Sequence, residues 1–318
     1  MNLLLVDSLD GTIPRMGVWS FSRRHMAKSI SSVDPFCHSC GVSPALKVAV
    51  EPTLQEPAMT DLIKQEHRDG VLTLTIDRPD KLNALTNSMY TRLADLLFAA
   101  DEDDSVGVII VTGGPTCFTS GNDLVDFLQD PPTHLDSPAF RLMRAVTHLQ
   151  KPLIAAVCGA AIGIGTTLLL HCDQVLVTRN AKLRMPFVNL GLCPEFGASL
   201  LLPRLLGQAR ATRLLLLGDS LDGSEALTWG LANEVFDDGA QCLAAATRLA
   251  QRLMAMPQES LRQSRQLMKQ AGMAELQATL REENLLFIQR LNSDEAKTAL
   301  NALLNRSTDK NPPKGKQP

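Results

Sequence analysis

Apolar and polar residues follow a strand-like pattern soon after residue 60. Residues 71–76 place an apolar side chain at every second position, which is the period of a strand with one buried face. Residues 62–66 precede them as a second strand, and Asp69-Gly70 lies in between. Because Asp-Gly suits the positive φ angles of a tight two-residue turn, the two segments are predicted to form a β-hairpin.

Short strands and helices then alternate as far as about residue 200, which predicts stacked α/β layers. The predicted elements are a helix from Thr86 to about Ala100, a strand at 106–111, a helix near 138–149, a strand at 153–157, a helix at 163–171 and a strand at 174–177. The remainder is helical, apart from a strand at 234–236. Its predicted helices span 197–206, 208–217, 224–229, 239–255, 258–270 and 274–291.

This pattern divides the chain into four parts. Residues 1–58 lack sustained periodicity and are interpreted as a disordered or spurious N-terminal extension, with a targeting role as the alternative. Residues 60–200 form the α/β core and residues 201–305 a helical C-terminal region that covers the core or a neighbouring subunit. Residues 306–318, rich in Pro and Lys, are predicted to be a disordered tail.

Composition excludes several classes of function. A net charge of −3 and scattered basic residues give no footprint for nucleic acid. No apolar stretch has the length of a membrane-spanning helix. The seven cysteines lack the spacing of a disulfide framework or a zinc site, and the Cys37–Cys40 pair is interpreted as incidental. We therefore expect no metal and a reducing compartment, by default the cytoplasm, with organellar import left open.

Two glycine-containing turns are candidates for binding an anion. Gly121 allows a tight turn that leaves the next amide, that of Asn122, pointing outward. The segment 159–167 is a strand-to-helix turn whose first helical amides have no partner within the helix. It matches neither common nucleotide-binding pattern, so simple helix packing is the alternative. Two amides that converge on one oxygen would form an oxyanion hole.

Four motifs in order resemble the crotonase (enoyl-CoA hydratase/isomerase) superfamily. They are Pro79-Asp-Lys-Leu-Asn-Ala-Leu85, Phe118-Thr-Ser-Gly-Asn-Asp123, Ala155-Ala-Val-Cys-Gly-Ala-Ala-Ile-Gly163 and Trp229-Gly-Leu-Ala-Asn-Glu-Val235. The resemblance spans about residues 60–305. It implies an α/β fold, a crotonase-like spiral of ββα repeats with two roughly perpendicular sheets and a helical C-terminal region. It also implies a homotrimer or a dimer of trimers.

The resemblance also assigns the site residues. It implies that the backbone amides of Asn122 and Ile164 bind the thioester oxygen of an acyl-CoA substrate, with no further cofactor. The residues it implies for substrate or coenzyme A binding are Lys81, Asn83, Ala84, Leu85, Ser120, Gly121, Asp123, Leu124 and Gly163. For Asp123 a structural role, bracing its turn, is the favoured interpretation, and Lys81 has the alternative of an ordinary solvated lysine.

The acidic residues distinguish between reactions of this superfamily. The resemblance implies that members which hydrate enoyl-CoA use two carboxylates around one water molecule. The matching positions of this sequence hold Thr167 and Phe187 instead. The segment Met185–Ser199 is instead similar to peroxisomal-type Δ3,Δ2-enoyl-CoA isomerases, which implies Glu195 as a single catalytic acid and base. The alternative for Glu195 is a carboxylate in the first turn of a helix beginning near Phe196.

The resulting hypothesis is an enoyl-CoA isomerase of fatty-acid β-oxidation. An enoyl-CoA hydratase is the first alternative, and a non-catalytic acyl-CoA-binding protein with the same fold is the second. Two other candidates are interpreted as structural: Asp173, expected to make a structural hydrogen bond at the start of a strand, and His171, expected in the core or an interface.

Overall fold

A computed structural model describes residues 62–309, with the side chains described as far as residue 305. The expectations for residues 1–58, including the Cys37–Cys40 pair, lie outside this part of the chain, as does the end of the tail. Within residues 62–309, no helix has the combination of length and apolar character that crossing a membrane requires.

The described residues form nine strands and ten α-helices. The strands are β1 (Ile63–Arg68), β2 (Val71–Ile76), β3 (Val108–Thr112), β4 (Leu153–Val157), β5 (Ala160–Ile162), β6 (Gln174–Thr178), β7 (Lys182–Arg184), β8 (Ser220–Asp222) and β9 (Glu234–Phe236). The helices are α1 (Asn87–Glu102), α2 (Leu124–Gln129), α3 (Pro138–His148), α4 (Ile164–Thr167), α5 (Ala198–Leu206), α6 (Gln208–Leu216), α7 (Gly223–Trp229), α8 (Gly239–Met254), α9 (Gln258–Leu291) and α10 (Asp294–Asp309). The predicted α/β class with a helical C-terminal region is confirmed.

The larger sheet has six strands in the order β1-β2-β3-β4-β6-β9. Strands β1 and β2 pair antiparallel, and every later pair in this sheet is parallel. The hairpin predicted at Asp69-Gly70 is confirmed, since the two residues have φ angles of 52° and 77°. The neighbouring parallel strands β3 and β4 have their carboxyl ends on the same side of the sheet, and the segments that follow them in the chain contain the two glycine turns.

Parallel strands of the larger sheet are buried on both faces. In β4, Leu153, Ala155 and Val157 face the core that contains α1 and α3, whereas Ile154 and Ala156 face α8. Because successive strand residues point to opposite faces, such strands are apolar without interruption. Helix α8 can lie close to its face of the sheet because it presents small side chains there. They are those of Cys242, Ala245, Ala246 and Ala250.

A second sheet contains three short strands in the order β5-β7-β8. The sequence pattern missed all three, because three residues are too few to show a period. The chain passes from β4 to β5 through Gly159, which has a φ of 68°. A Cβ there would lie 2.1 Å from the carbonyl oxygen of Thr116, so only glycine fits this crossing.

The C-terminal helices differ from the prediction in two ways. Helix α9 is continuous over Gln258–Leu291, whereas two helices separated near Gly272 were expected. A glycine weakens a helix without ending it, and ion pairs before it and buried contacts after it hold α9 against the core. Helix α10 was not predicted, and its backbone extends to Asp309, into the segment assigned to the tail.

Asp173 joins three elements of the core, which bears out its structural interpretation. Its Oδ2 accepts hydrogen bonds from the amide of Leu153, at 2.8 Å, and from Nε of Arg265, at 2.7 Å. The ammonium of Lys269 lies 3.4 Å from Oδ1. Arg265 is buried and also donates to the carbonyl of Leu149. The carboxylate therefore fixes the start of β6 and the first half of α9 together.

We expect Asp173→Asn to lower the free energy of unfolding by about 3 kcal/mol, because it leaves the buried guanidinium of Arg265 without a counter-charge. Urea unfolding followed by circular dichroism measures this. Asp104→Asn, at an exposed position, is the matched control and should change stability by less than about 0.5 kcal/mol. Equal stability of the two variants would contradict this role of Asp173.

Candidate active site

A cavity of about 880 Å³ opens where the two glycine turns meet the C-terminal helices. Polar residues of the loops at 80–84 and 120–123 form one side, and apolar residues of α9 and α10 form the other. Its walls include Asp80, Lys81, Leu82, Ala84, Ser120, Gly121, Asn122, Asp123, Leu124, Val125, Phe127, Ile162, Gly163, Ile164, Pro186, Phe187, Leu190, Leu192, Phe287, Leu300, Leu303 and Leu304. Both predicted amide donors, Asn122 and Ile164, thus border a single cavity.

The first turn leaves the amide of Asn122 without an acceptor among the described residues. Leu85 donates to the carbonyl of Gly121, and Asp123 donates to the carbonyl of Leu85, both at 2.8 Å, so the pairing passes over Asn122. Gly121 has a φ of 90°, and a Cβ on it would lie 2.9 Å from the carbonyl oxygen of Ile162. Close contact with the second turn therefore requires glycine here.

The second turn exposes the amide of Ile164. Gly163 has a φ of 59° and donates to the carbonyl of Arg184 at 2.8 Å. Ile164 follows as the first residue of α4, and within residues 62–309 its amide has no hydrogen-bond acceptor. The amide of Ile162 donates to the carbonyl of Thr119 at 3.0 Å, which ties the two turns together. The oxyanion hole stays a prediction, and this arrangement supports it.

The predicted substrate-binding residues divide into two groups. Lys81, Ala84, Ser120, Gly121, Asp123, Leu124 and Gly163 line the cavity. The side chains of Asn83 and Leu85 are instead buried. Asn83 Nδ2 donates to the carbonyls of Gly113, at 2.9 Å, and Cys117, at 2.7 Å, so Asn83 supports the loop beneath the cavity wall.

Asp123 braces the first turn. Its Oδ1 accepts hydrogen bonds from the amides of Val125, at 3.0 Å, and Asp126, at 3.1 Å, which caps α2. Its Oδ2 accepts a hydrogen bond from Arg78 Nη1 at 2.7 Å. Burial alone would raise the pKa of Asp123, but these donors and the Arg78 charge hold it below its ordinary value. An ionised carboxylate so engaged is unsuited to proton transfer.

Glu195 is a buried carboxylate with only 3% of its surface exposed. Thr167 Oγ1 donates to its Oε1 at 3.4 Å. Burial raises the pKa of Glu195 to about 8, the negative charge of Glu283 adds to this shift, and the Thr167 hydroxyl opposes it. Glu195 is not itself a wall residue of the cavity, whereas Phe187 and Leu192 nearby in the chain are. Its carboxylate thus lies in an apolar setting at the second glycine turn.

The helix-start alternative for Glu195 does not match the observed contacts. Helix α5 begins at Ala198, and its first amides are bound by another residue. Glu283 of α9 accepts hydrogen bonds from the amide of Gly197, at 2.6 Å, and from the amide of Ser199, at 3.0 Å. The side chain of Glu195 points to Thr167 instead. Its carboxylate therefore does not serve as the helix cap.

His171 is a core residue, as expected. Burial lowers its pKa to about 4, so the ring is neutral. Its Nε2 lies 2.7 Å from the carbonyl oxygen of Phe196, which fixes the proton on Nε2 because a carbonyl can only accept. The ring also stacks on that of Phe196, with centroids 4.1 Å apart. His171 thus holds the residue that follows Glu195.

Sequence patterns missed two residues beside the site, Tyr90 and Glu283. Tyr90 is buried in α1 and donates its hydroxyl to Asn122 Oδ1. Burial raises its pKa well above the ordinary value, and the negative charge of Glu195 adds to this. The sequence could have indicated Tyr90, because it is the only tyrosine of the chain and lies on an apolar helix face. The sequence could also have indicated Glu283, because it is an acidic residue on the same buried face of α9 as Leu280 and Phe287.

Metal ligation has no support among residues 62–309, where no group of three or more His, Cys, Asp or Glu side chains has an arrangement that could hold an ion. The cysteines in this part of the chain are free thiols. The expectation of a site without a metal or further cofactor stays a prediction.

Comparisons with known proteins agree on the fold and the family. The family model described as enoyl-CoA hydratase/isomerase matches residues 66–310. The chain is 31% identical over 306 residues to human enoyl-CoA delta isomerase 2, covering 94% of this chain and 74% of that protein. It is 39% identical over 207 residues to 1,2-epoxyphenylacetyl-CoA isomerase of Escherichia coli, covering 63% of this chain and 78% of that protein.

The structure of Pseudomonas aeruginosa OdaA is similar to this fold, with a TM-score of 0.76 and 52% identity, and the match covers 77% of this chain and all of that one. The family match extends from β1 through α10, so it includes both glycine turns and Glu195. The sequence resemblance is thereby confirmed. The chain belongs to the enoyl-CoA hydratase/isomerase family, within the crotonase superfamily.

Proposed function

We propose that this protein is a Δ3,Δ2-enoyl-CoA isomerase, and the observation that carries the proposal is the buried carboxylate of Glu195, which lies beside Thr167 and serves no turn or helix end. Thr167 and Phe187 occupy the places where the hydratase pattern has its acids, and neither side chain can exchange a proton as a carboxylate does. Asp123 is held by Arg78, and Asp80 is exposed. Glu283 is engaged by the amides of Gly197 and Ser199, which leaves Glu195 as the candidate base.

The proposed reaction moves one proton and one double bond. The amides of Asn122 and Ile164 donate to the thioester oxygen of a 3-enoyl-CoA, and Glu195 removes a proton from C2. The enolate forms as its charge collects on that oxygen, where each amide contributes about 3 kcal/mol of stabilisation. Glu195, now protonated, returns the proton to C4, and the double bond moves from C3–C4 to C2–C3. No atom is gained or lost, so no co-reactant is needed.

The pKa of Glu195 suits this task. The carboxylate of an acid with a pKa of about 8 is a stronger base than an ordinary glutamate, and a minority of it is ionised at neutral pH. The apolar walls formed by Phe187 and Leu192 also disfavour a bound water, which would be needed for hydration. The human relative named as an enoyl-CoA delta isomerase supports the same reaction.

Setting and assembly are further parts of the proposal. We propose fatty-acid β-oxidation as the setting, because the apolar walls contributed by Phe287, Leu300 and Leu303 suit an acyl chain. The exposed apolar side chains of Leu267 and Met268 on α9 support self-association as a homotrimer or a dimer of trimers. The cytoplasm is kept as the proposed compartment.

Glu195→Gln should lower kcat for conversion of a 3-enoyl-CoA to the 2-enoyl-CoA by about 10³-fold with little change in KM, because it removes the proton carrier and keeps the shape. Absorbance of the conjugated thioester follows the reaction. Glu66→Gln, an exposed substitution on β1, is the control and should match the wild type.

Two other results would point to the alternative functions. Hydration of a 2-enoyl-CoA at a rate comparable to isomerisation would favour a hydratase. Coenzyme A thioester binding without turnover of any 3-enoyl-CoA would favour a binding protein. Wild-type isomerisation by Glu195→Gln would contradict the role assigned to its carboxylate.

The pH dependence of kcat/KM should show a single acid limb. Since Glu195 acts as a base, activity should fall about tenfold per pH unit below about 8 and level off above it. Thr167→Val removes a hydroxyl that lowers this pKa, so the limb should move to higher pH. A limb near the ordinary glutamate pKa, unchanged in Thr167→Val, would be inconsistent with this assignment.

A further inference from the structure

We propose that Glu283 of α9 is a positioning residue for Glu195, acting through the turn that follows the catalytic carboxylate. The inference rests on the proposed function, because it takes Glu195 to be the group that moves the proton. It assigns a role in the reaction to a residue of the C-terminal helical region.

The turn after Glu195 has an unfavourable backbone conformation. Phe196 has a φ of 58° and Gly197 a φ of 73°, so two successive residues are left-handed. Phenylalanine carries a Cβ that disfavours this region, and such a conformation persists only where its surroundings impose it. The direction of the Glu195 side chain therefore depends on contacts that hold Phe196 and Gly197.

Those contacts come from two sides. On one side, Glu283 Oε2 accepts a hydrogen bond from the amide of Gly197 at 2.6 Å, and Oε1 accepts from the amide of Ser199 at 3.0 Å and its hydroxyl at 2.5 Å. On the other side, His171 Nε2 donates to the carbonyl of Phe196 at 2.7 Å. Both oxygens of Glu283 act as acceptors, which fits the ionised carboxylate. The turn is thus held between α9 and the segment before β6.

Glu283 also acts on Glu195 through its charge. The titratable groups that face Glu195 are Tyr90 from α1, Cys193 on its own segment and Glu283 from α9. After burial, Glu283 is the group that raises the pKa of Glu195. Burial raises the pKa of Glu283, its hydrogen bonds from Ser199 and Gly197 oppose this shift, and the charge of the exposed Glu282 adds to it. Removing the Glu283 charge should therefore lower the pKa of Glu195 and move the acid limb of kcat/KM to lower pH.

The test compares Glu283→Gln with Glu282→Gln, two neighbours on one helix of which one is buried and one exposed. Glutamine at 283 keeps the size but replaces one acceptor oxygen with an NH2 group, which faces an amide donor. We expect kcat for a 3-enoyl-CoA to fall at least tenfold with KM within about twofold, and the acid limb to move to lower pH. Glu282→Gln should change neither quantity.

A second variant separates the hydrogen bonds that hold the turn from the effect of the Glu283 charge on Glu195. Ser199→Ala removes one donor to Glu283 Oε1 and leaves both carboxylates in place. We expect a several-fold loss of kcat, with the acid limb moving less than in Glu283→Gln because the carboxylate at 283 is retained. If Glu283→Gln does not fold, as judged by circular dichroism, Ser199→Ala decides the question, and an unchanged kcat in that variant would overturn the proposal.

The outcomes distinguish the two proposals. Wild-type activity in Glu195→Gln would sink the proposed function itself, whatever Glu283 does. An inactive Glu195→Gln combined with a folded Glu283→Gln that keeps the wild-type kcat and acid limb would leave the proposed function standing and overturn the positioning role alone.

Discussion

Burial of one carboxylate in an apolar setting is the constraint on which the candidate site depends. Glu195 has no cationic partner among the described residues, and its carboxylate accepts a hydrogen bond from the hydroxyl of Thr167. A charge placed there is unfavourable, which is why the pKa rises to about 8. Burial destabilises the ionised carboxylate, and for the same reason the carboxylate binds a proton more tightly and is a stronger base.

Elements that are far apart in the chain hold the backbone around Glu195 in place. The two glycine turns lie in the segments that follow β3 and β4, and the hydrogen bond from the amide of Ile162 to the carbonyl of Thr119 joins them. Helix α9 is joined to the start of β6 by Asp173 and Arg265, and the same helix carries Glu283 to the turn after Glu195. The helical C-terminal region is therefore part of the site.

The sequence predicted the elements with a clear period and the residues that lie in motifs. Local sequence sufficed to predict elements that depend on neighbouring residues. These are the Asp69-Gly70 hairpin, the buried strands β3 and β4 and both glycine turns. Strands β5, β7 and β8 were not predicted, since each has three residues. The continuity of α9 across Gly272 was missed because contacts elsewhere decide it.

The same division applies to the site. Glu195, Asn122 and Ile164 could be named from motifs, whereas the roles of Tyr90 and Glu283 depend on contacts between elements far apart in sequence. A motif also does not reveal that Asn83 turns its side chain inward. Packing of non-local elements is the information that local patterns lack.

Isotope transfer tests most directly whether one carboxylate carries one proton from C2 to C4. A 3-enoyl-CoA carrying deuterium at C2 would be converted in ordinary water in a single turnover, and the product analysed by mass spectrometry. If Glu195 transfers the proton, deuterium appears at C4 of the 2-enoyl-CoA. Deuterium lost entirely to solvent, with no label at C4, would contradict a single-base transfer by Glu195.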